Sequence, residues 1–304
     1  MSRKTIYRLI SIPLFLIVAI FIICKILWGA SYVIGDYPGP AILKNVTAQK
    51  TGKIDWLLIH GASVDARVWD AFINSHCDDS LVAISLGDQQ YGSAQAQPGV
   101  MAGQQLTNFL QNFAIQKGII THSTGSLWLA QAYHQCPQCL QHLKIILLAP
   151  NAGDNALGVS SGIRSTLKWG SIFAPDPYLN VPLTFELTPI QACEGGNSYY
   201  YATCRSYYMC GTHMSFTSIN YYRKLVKYMS DFTQQKYFID FLKNDAKNIT
   251  IYIPGDDKIL QYQNIIPLAQ QDGIPIVTIP NISHVGLLVL SQDWFADDKQ
   301  ACVR

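Results

Sequence analysis

Gly118-Ile119-Ile120-Thr121-His122-Ser123-Thr124-Gly125-Ser126-Leu127-Trp128-Leu129-Ala130 carries the chain from a short apolar, β-branched run through a turn of small residues into a segment of helix formers. Strand, sharp turn and helix are the expected order, with Ser123 at the apex. Small side chains at Thr121 and Gly125 let strand and helix pack closely while the hydroxyl stands clear, which is the geometry a serine nucleophile needs. The pattern is G-x-S-x-G with Thr in place of the first Gly. A serine hydroxyl is a weak nucleophile by itself, so the rest of the chain has to supply a base, an acid and an oxyanion hole.

Working outward, apolar runs recur at Ile54–Ile59, Leu81–Leu86, Lys144–Pro150, Ile249–Ile253 and Ile274–Ile279. Between them lie helical segments: a short one near Val68–Ile73, Gly99–Lys117 with Leu106, Phe109, Leu110, Phe113 and Ile115 near helical spacing, Tyr262–Gln271, and a last one from Ser291. Continuous apolar strands alternating with helices predict an α/β fold: a mostly parallel sheet with helices on both faces. The alternation stops after Pro150 for about a hundred residues rich in Tyr, with Cys193, Cys204 and Cys210, too long for a plain loop in a compact domain. Residues 151–248 are therefore expected to form an inserted cap, residues 54–150 and 249–304 the core, and residues 31–53 a tether.

In an open α/β sheet, functional groups gather at the carboxyl ends of the strands. Four such ends carry chemistry here: His60-Gly61-Ala62-Ser63, Ser123, Pro254-Gly255-Asp256-Asp257-Lys258-Ile259, and Asn281-Ile282-Ser283-His284-Val285-Gly286. Serine, carboxylate and histidine follow one another in the order a triad on this sheet requires. Against this stand blander roles. His284 could be a hydrogen-bonded structural histidine, one of Asp256 and Asp257 a turn former, and His60 and His122 fit a structural role better than proton transfer.

These motifs resemble the α/β-hydrolase family over residues 54–150 and 249–297. His60-Gly61-Ala62 is similar to its oxyanion-loop signature, Gly255-Asp256-Asp257-Lys258-Ile259 to its acid motif, and Ser283-His284-Val285-Gly286-Leu287 to its histidine motif. The resemblance implies a Ser123–His284–Asp257 triad with the backbone N–H groups of Ala62 and Thr124 as the oxyanion hole. Asp257 is preferred over Asp256 because the family's acid is usually followed directly by a pair like Lys258-Ile259. The implied chemistry is hydrolysis of a carboxylic ester, of a lipid or another apolar acyl group, through an acyl-enzyme. A thioesterase or acyltransferase would use the same triad, and a chain keeping the fold without the chemistry would be a binding module. The Tyr-rich cap suits either an apolar substrate pocket or a packed, stapled lid.

With 49% hydrophobic and 14% charged residues, the 304-residue chain can bury one substantial core. Arg3, Lys4 and Arg8 precede an uncharged run from Leu9 to Cys24, followed by Lys25 and Trp28. Residues 1–30 are expected to be a membrane anchor, with contact over residues 9–28, or else a cleaved signal peptide. Positive charge on the amino-terminal flank would leave the body outside the cytoplasm. That body carries 18 basic against 20 acidic residues and no basic stripe, which argues against a nucleic-acid partner. The eight cysteines fit export, and Cys136-Pro137-Gln138-Cys139 reads as structural, not as a redox centre. No metal-ligand spacing and no Gly-rich nucleotide loop occur, so no cofactor is expected.

Overall fold

The structure, a computed structural model, describes residues 42–44, 46–61, 66–69, 72–73, 76, 79–86, 98–153, 182–183, 217–218, 228–229, 231–257 and 260–288. Residues 1–30, most of the expected cap with its cysteines, and the helix expected from Ser291 lie outside this set. Among the described residues no helix is long and apolar enough to cross a membrane, and the run from Leu9 to Trp28 is not among them.

Seven strands form one sheet in the order β1-β3-β2-β4-β5-β6-β7: β1 Ile42–Lys44, β2 Ile54–Ile59, β3 Leu81–Ile84, β4 Ile115–His122, β5 Lys144–Leu148, β6 Ile249–Pro254 and β7 Ile276–Ile279. All pairs are parallel except β1–β3. The residues expected to be a tether therefore include an antiparallel edge strand, with Ile42 opposite Ile84, and a six-residue helix, α1 Val46–Thr51. An edge strand of three residues pairs on one side only and leaves little periodic trace in a sequence.

Both faces of the central strands are covered. Gly118 through His122 of β4 are all buried, as is every residue of β3, so consecutive side chains pointing to opposite faces both find apolar neighbours. Helix α2 (Pro98–Asn112) packs on α3 (Gly125–Gln135), and α3 in turn on α4 (Phe232–Asp245). Helix α4 begins with Asp231, whose side chain accepts the Thr233 N–H at 2.7 Å, an N-cap of the usual kind. Its Phe238, Phe241 and Leu242 are buried, with Phe241 against Tyr133 of α3 at 5.2 Å between ring centres. The end of the segment grouped with the cap by composition thus forms a helix that docks on the core. Helix α5 (Ile265–Gln271) leads into β7. A disulfide joins Cys136 and Cys139 across the single 3-10 turn that follows α3.

The strand order positions the site. The chain runs outward from β2 to β3, then returns to place β4 on the other side of β2. The carboxyl ends of β2 and β4 therefore flank the switch point, where an open α/β sheet leaves a crevice. Ile59 pairs with Thr121 there, so the loop starting at His60 lies beside the turn at Ser123.

Candidate active site

Ser123 follows β4 directly and has φ of +51°, a left-handed backbone that a residue with a side chain rarely adopts. Surrounding bonds enforce the turn. The Ser123 N–H donates to the Leu148 carbonyl at 2.9 Å, tying the serine to β5, and its carbonyl accepts from Ser126 N–H at 3.1 Å and from Asn151 N–H at 3.2 Å. The Ser126 hydroxyl bridges the same elements, lying 2.7 Å from the Ser123 carbonyl and 2.8 Å from that of Asn151. A residue so held can keep a backbone conformation that costs about 1–3 kcal/mol.

Close approach accounts for the glycines on either side. A Cβ on Gly61 would stand 2.9 Å from the Ser123 Cβ, and one on Gly125 would stand 2.6 Å from the His60 carbonyl. Gly61 thus lies against Ser123, and its loop is fixed in turn by His60. The ring of His60 donates through Nδ1 to the Gly61 carbonyl at 2.6 Å and accepts the Leu86 N–H through Nε2 at 2.7 Å, packed edge-on to Trp128. Its two ring nitrogens are thereby engaged in holding the loop, in keeping with a structural role. Ala62 lies outside the described residues. Thr124 is the N-cap of α3, where the opening amide groups have no intrahelical acceptor. Its hydroxyl points to the Met229 sulfur at 3.5 Å, which the Asn151 side-chain amide also approaches, at 3.0 Å.

The acid and histidine loops are joined backbone to backbone. Gly255 N–H donates to the Ile279 carbonyl at 2.7 Å and Asp256 N–H to the Ile282 carbonyl at 3.0 Å, bringing the ends of β6 and β7 together. On this frame His284 Nδ1 lies 2.7 Å from Asp257 Oδ2, with both side chains almost completely buried. Asp257, and not Asp256, is the carboxylate that reaches the histidine. Its other oxygen accepts the Leu260 N–H at 2.9 Å, and the Tyr262 hydroxyl donates to Oδ2. Burial opposes the charge on Asp257, but the neighbouring His284 and these donors outweigh it and hold the carboxyl below its usual range.

His122 links the turn at Ser123 to the loop that carries His284. Its Nε2–H donates to the His284 carbonyl at 3.2 Å, and the two rings lie 4.8 Å apart. Complete burial, and then the neighbouring His284, push the His122 imidazole down to about 3, so it is neutral at ordinary pH. Gly61 thus lies against Ser123 and Asp257 is bonded to His284, while His122 links the two halves; no hydrogen bond joins Ser123 to His284 directly. Tyr262 and Met229 were not evident from the sequence: an aromatic five residues past an acid, and a Met beside a Tyr-rich stretch, carry no motif. Among the described residues no group of His, Cys, Asp and Glu could hold a metal ion.

No protein-family model matches the chain, and no curated protein matches it in sequence. Solved structures do. A lipase-esterase related protein from Clostridium acetobutylicum superposes with a TM-score of 0.59 at 12% identity, over 85% of this chain and 97% of that one. A thermophilic esterase from Thermogutta terrifontis does so with a TM-score of 0.55 at 15% identity, over 85% and 92%. A 2-hydroxy-6-oxo-6-phenylhexa-2,4-dienoate hydrolase from Rhodococcus matches with a TM-score of 0.55 at 15% identity, over 80% and 91%.

Proposed function

We propose that this chain, which has the α/β-hydrolase fold, is a serine hydrolase that cleaves a carboxylic ester of an apolar acyl group through an acyl-enzyme. The observation that carries the proposal is the His284–Asp257 hydrogen bond of 2.7 Å after β6 and β7, on a sheet whose β4 ends in a serine held at positive φ. In the reaction Ser123 Oγ attacks the ester carbonyl while His284 accepts its proton. Because Nδ1 is engaged by Asp257, Nε2 is the nitrogen left for that transfer. Asp257 keeps the imidazole in this tautomer and stabilises its charged form. The N–H groups of Ala62 and Thr124 receive the negative charge of the tetrahedral oxygen, each worth roughly 3 kcal/mol of barrier. His284 then protonates the departing alcohol, and water, activated by the same histidine, releases the acid. The esterases among the structural neighbours support the ester bond as the one cleaved.

The uncharged run from Leu9 to Cys24, with basic residues before it, supports an anchor that leaves the body outside the cytoplasm. One experiment tests both parts. Membranes carrying the full chain or its Ser123→Ala variant are offered p-nitrophenyl esters from acetate to palmitate, then a fluorophosphonate probe. Turnover and labelling in the membrane pellet, with activity down by more than about 1,000-fold and labelling absent in the variant, are expected. Turnover equal in both would refute the triad, and labelled protein in the soluble fraction would refute the anchor.

A further inference from the structure

Two donors converge on one oxygen of the acid. Asp257 Oδ2 receives His284 Nδ1–H at 2.7 Å and also the Tyr262 hydroxyl, while Oδ1 is taken by the Leu260 N–H. Tyr262 is itself buried, at 7% exposure, so no bulk water competes for its proton. Its place is set by the chain: its carbonyl accepts the N–H groups of Ile265 and Ile266, both at 3.0 Å, where α5 begins. The phenol is thus fixed from the helix side and the imidazole from the β7 side, with the carboxylate between them.

We propose that Tyr262 is a positioning residue of this active site, whose hydroxyl takes a share of the Oδ2 charge that Asp257 presents to His284. This rests on the reading of Asp257 and His284 as acid and base. A carboxylate oxygen that already accepts one strong hydrogen bond is a weaker partner for a second. Tyr262 therefore sets how far Asp257 stabilises the protonated imidazole, and with it the pH at which the base becomes available. The phenol can fill this role throughout the working range, since burial, and then the Asp257 charge, push its ionisation well above the usual value. Among the described residues, the other titratable groups facing the pair are His122 and, beyond it, His60. His122 is neutral at ordinary pH and already uses Nε2 on the His284 carbonyl.

Tyr262→Phe in the full chain removes one oxygen and keeps the ring that fills the space. The pH dependence of Ser123 labelling by the fluorophosphonate is expected to move its acidic limb up by about half a unit to one unit. The low-field proton resonance of His284 Nδ1–H is expected to move further downfield, as Oδ2 is freed for the imidazole alone. Replacing Tyr262 by difluorotyrosine, a stronger donor, should shift both readouts the opposite way. A limb and a resonance that stay where they were, at whatever rate, would overturn the proposal and leave Tyr262 as packing. If Ser123 of the unaltered protein never reacts, the hydrolase reading fails; the resonance alone then decides for or against Tyr262.

Discussion

Thr121 is fully buried one strand position before the turn, and its hydroxyl has no hydrogen-bond partner among the described residues. A buried, unsatisfied hydroxyl costs on the order of 1–3 kcal/mol. Thr121→Val keeps the shape of the side chain and removes that cost. The variant is expected to be more stable by about 1 kcal/mol, raising the melting temperature by roughly 2–4 °C in a scan against the unaltered protein. A lower melting temperature would mean that the hydroxyl is satisfied after all. At this scale the sequence was legible where chemistry restricts the residue type. Ser123, Asp257 and His284 are expected at strand ends, and that is where they lie, because small and polar residues mark the end of each apolar run. Tyr262 was not legible, because its bond to Asp257 depends on how the chain turns between β6 and α5, and no spacing rule encodes that turn.

The elements most readily anticipated were the inner strands, since a strand buried on both faces must be apolar throughout. The edge strand β1 leaves little trace because Ala41, Ile42 and Leu43 make only a short apolar run beside prolines and glycines. Helix α4 falls in the range that composition assigns to the cap, because the residues before it are rich in Tyr, although its own buried residues include Phe241 against Tyr133 of α3. Docking of α4 has a measurable cost. Phe241→Ala, at a position with no exposure, is expected to destabilise the protein by about 3–5 kcal/mol in urea unfolding, because the cavity beside Tyr133 cannot close fully. A loss below about 1 kcal/mol would mean that α4 contributes little to the core. The disulfide after α3 pairs the two cysteines of the C-x-x-C motif with each other, a pairing that the number of cysteines in the chain could not assign.

For the whole molecule, the buried ionisable groups make stability depend on pH. His122 in the folded protein titrates at about 3 against an ordinary value of 6.5, so the unfolded chain binds a proton that the folded one refuses. Its contribution is complete above about 6.5 and is lost as the pH falls towards 3, at about 1.4 kcal/mol per pH unit. Asp257, held below its ordinary range, adds in the same direction once the pH drops below about 4. Urea unfolding at pH 6.5 and 4.5 should therefore differ by about 2–3 kcal/mol through His122. His122→Gln should flatten that difference, and an unchanged difference would exclude His122 as its source.

The strand order has a further consequence, for a chain made from one end. The first half already contains β1 to β5, the strained turn and the loop that lies against it. The carboxylate and the imidazole arrive only with β6 and β7, on the far flank of the sheet. Under the proposed triad, a chain still being synthesised would carry Ser123 without its base, and a serine in that condition does not react. On that reading the topology would withhold catalysis until the last two strands are in place, leaving an unfinished chain chemically silent.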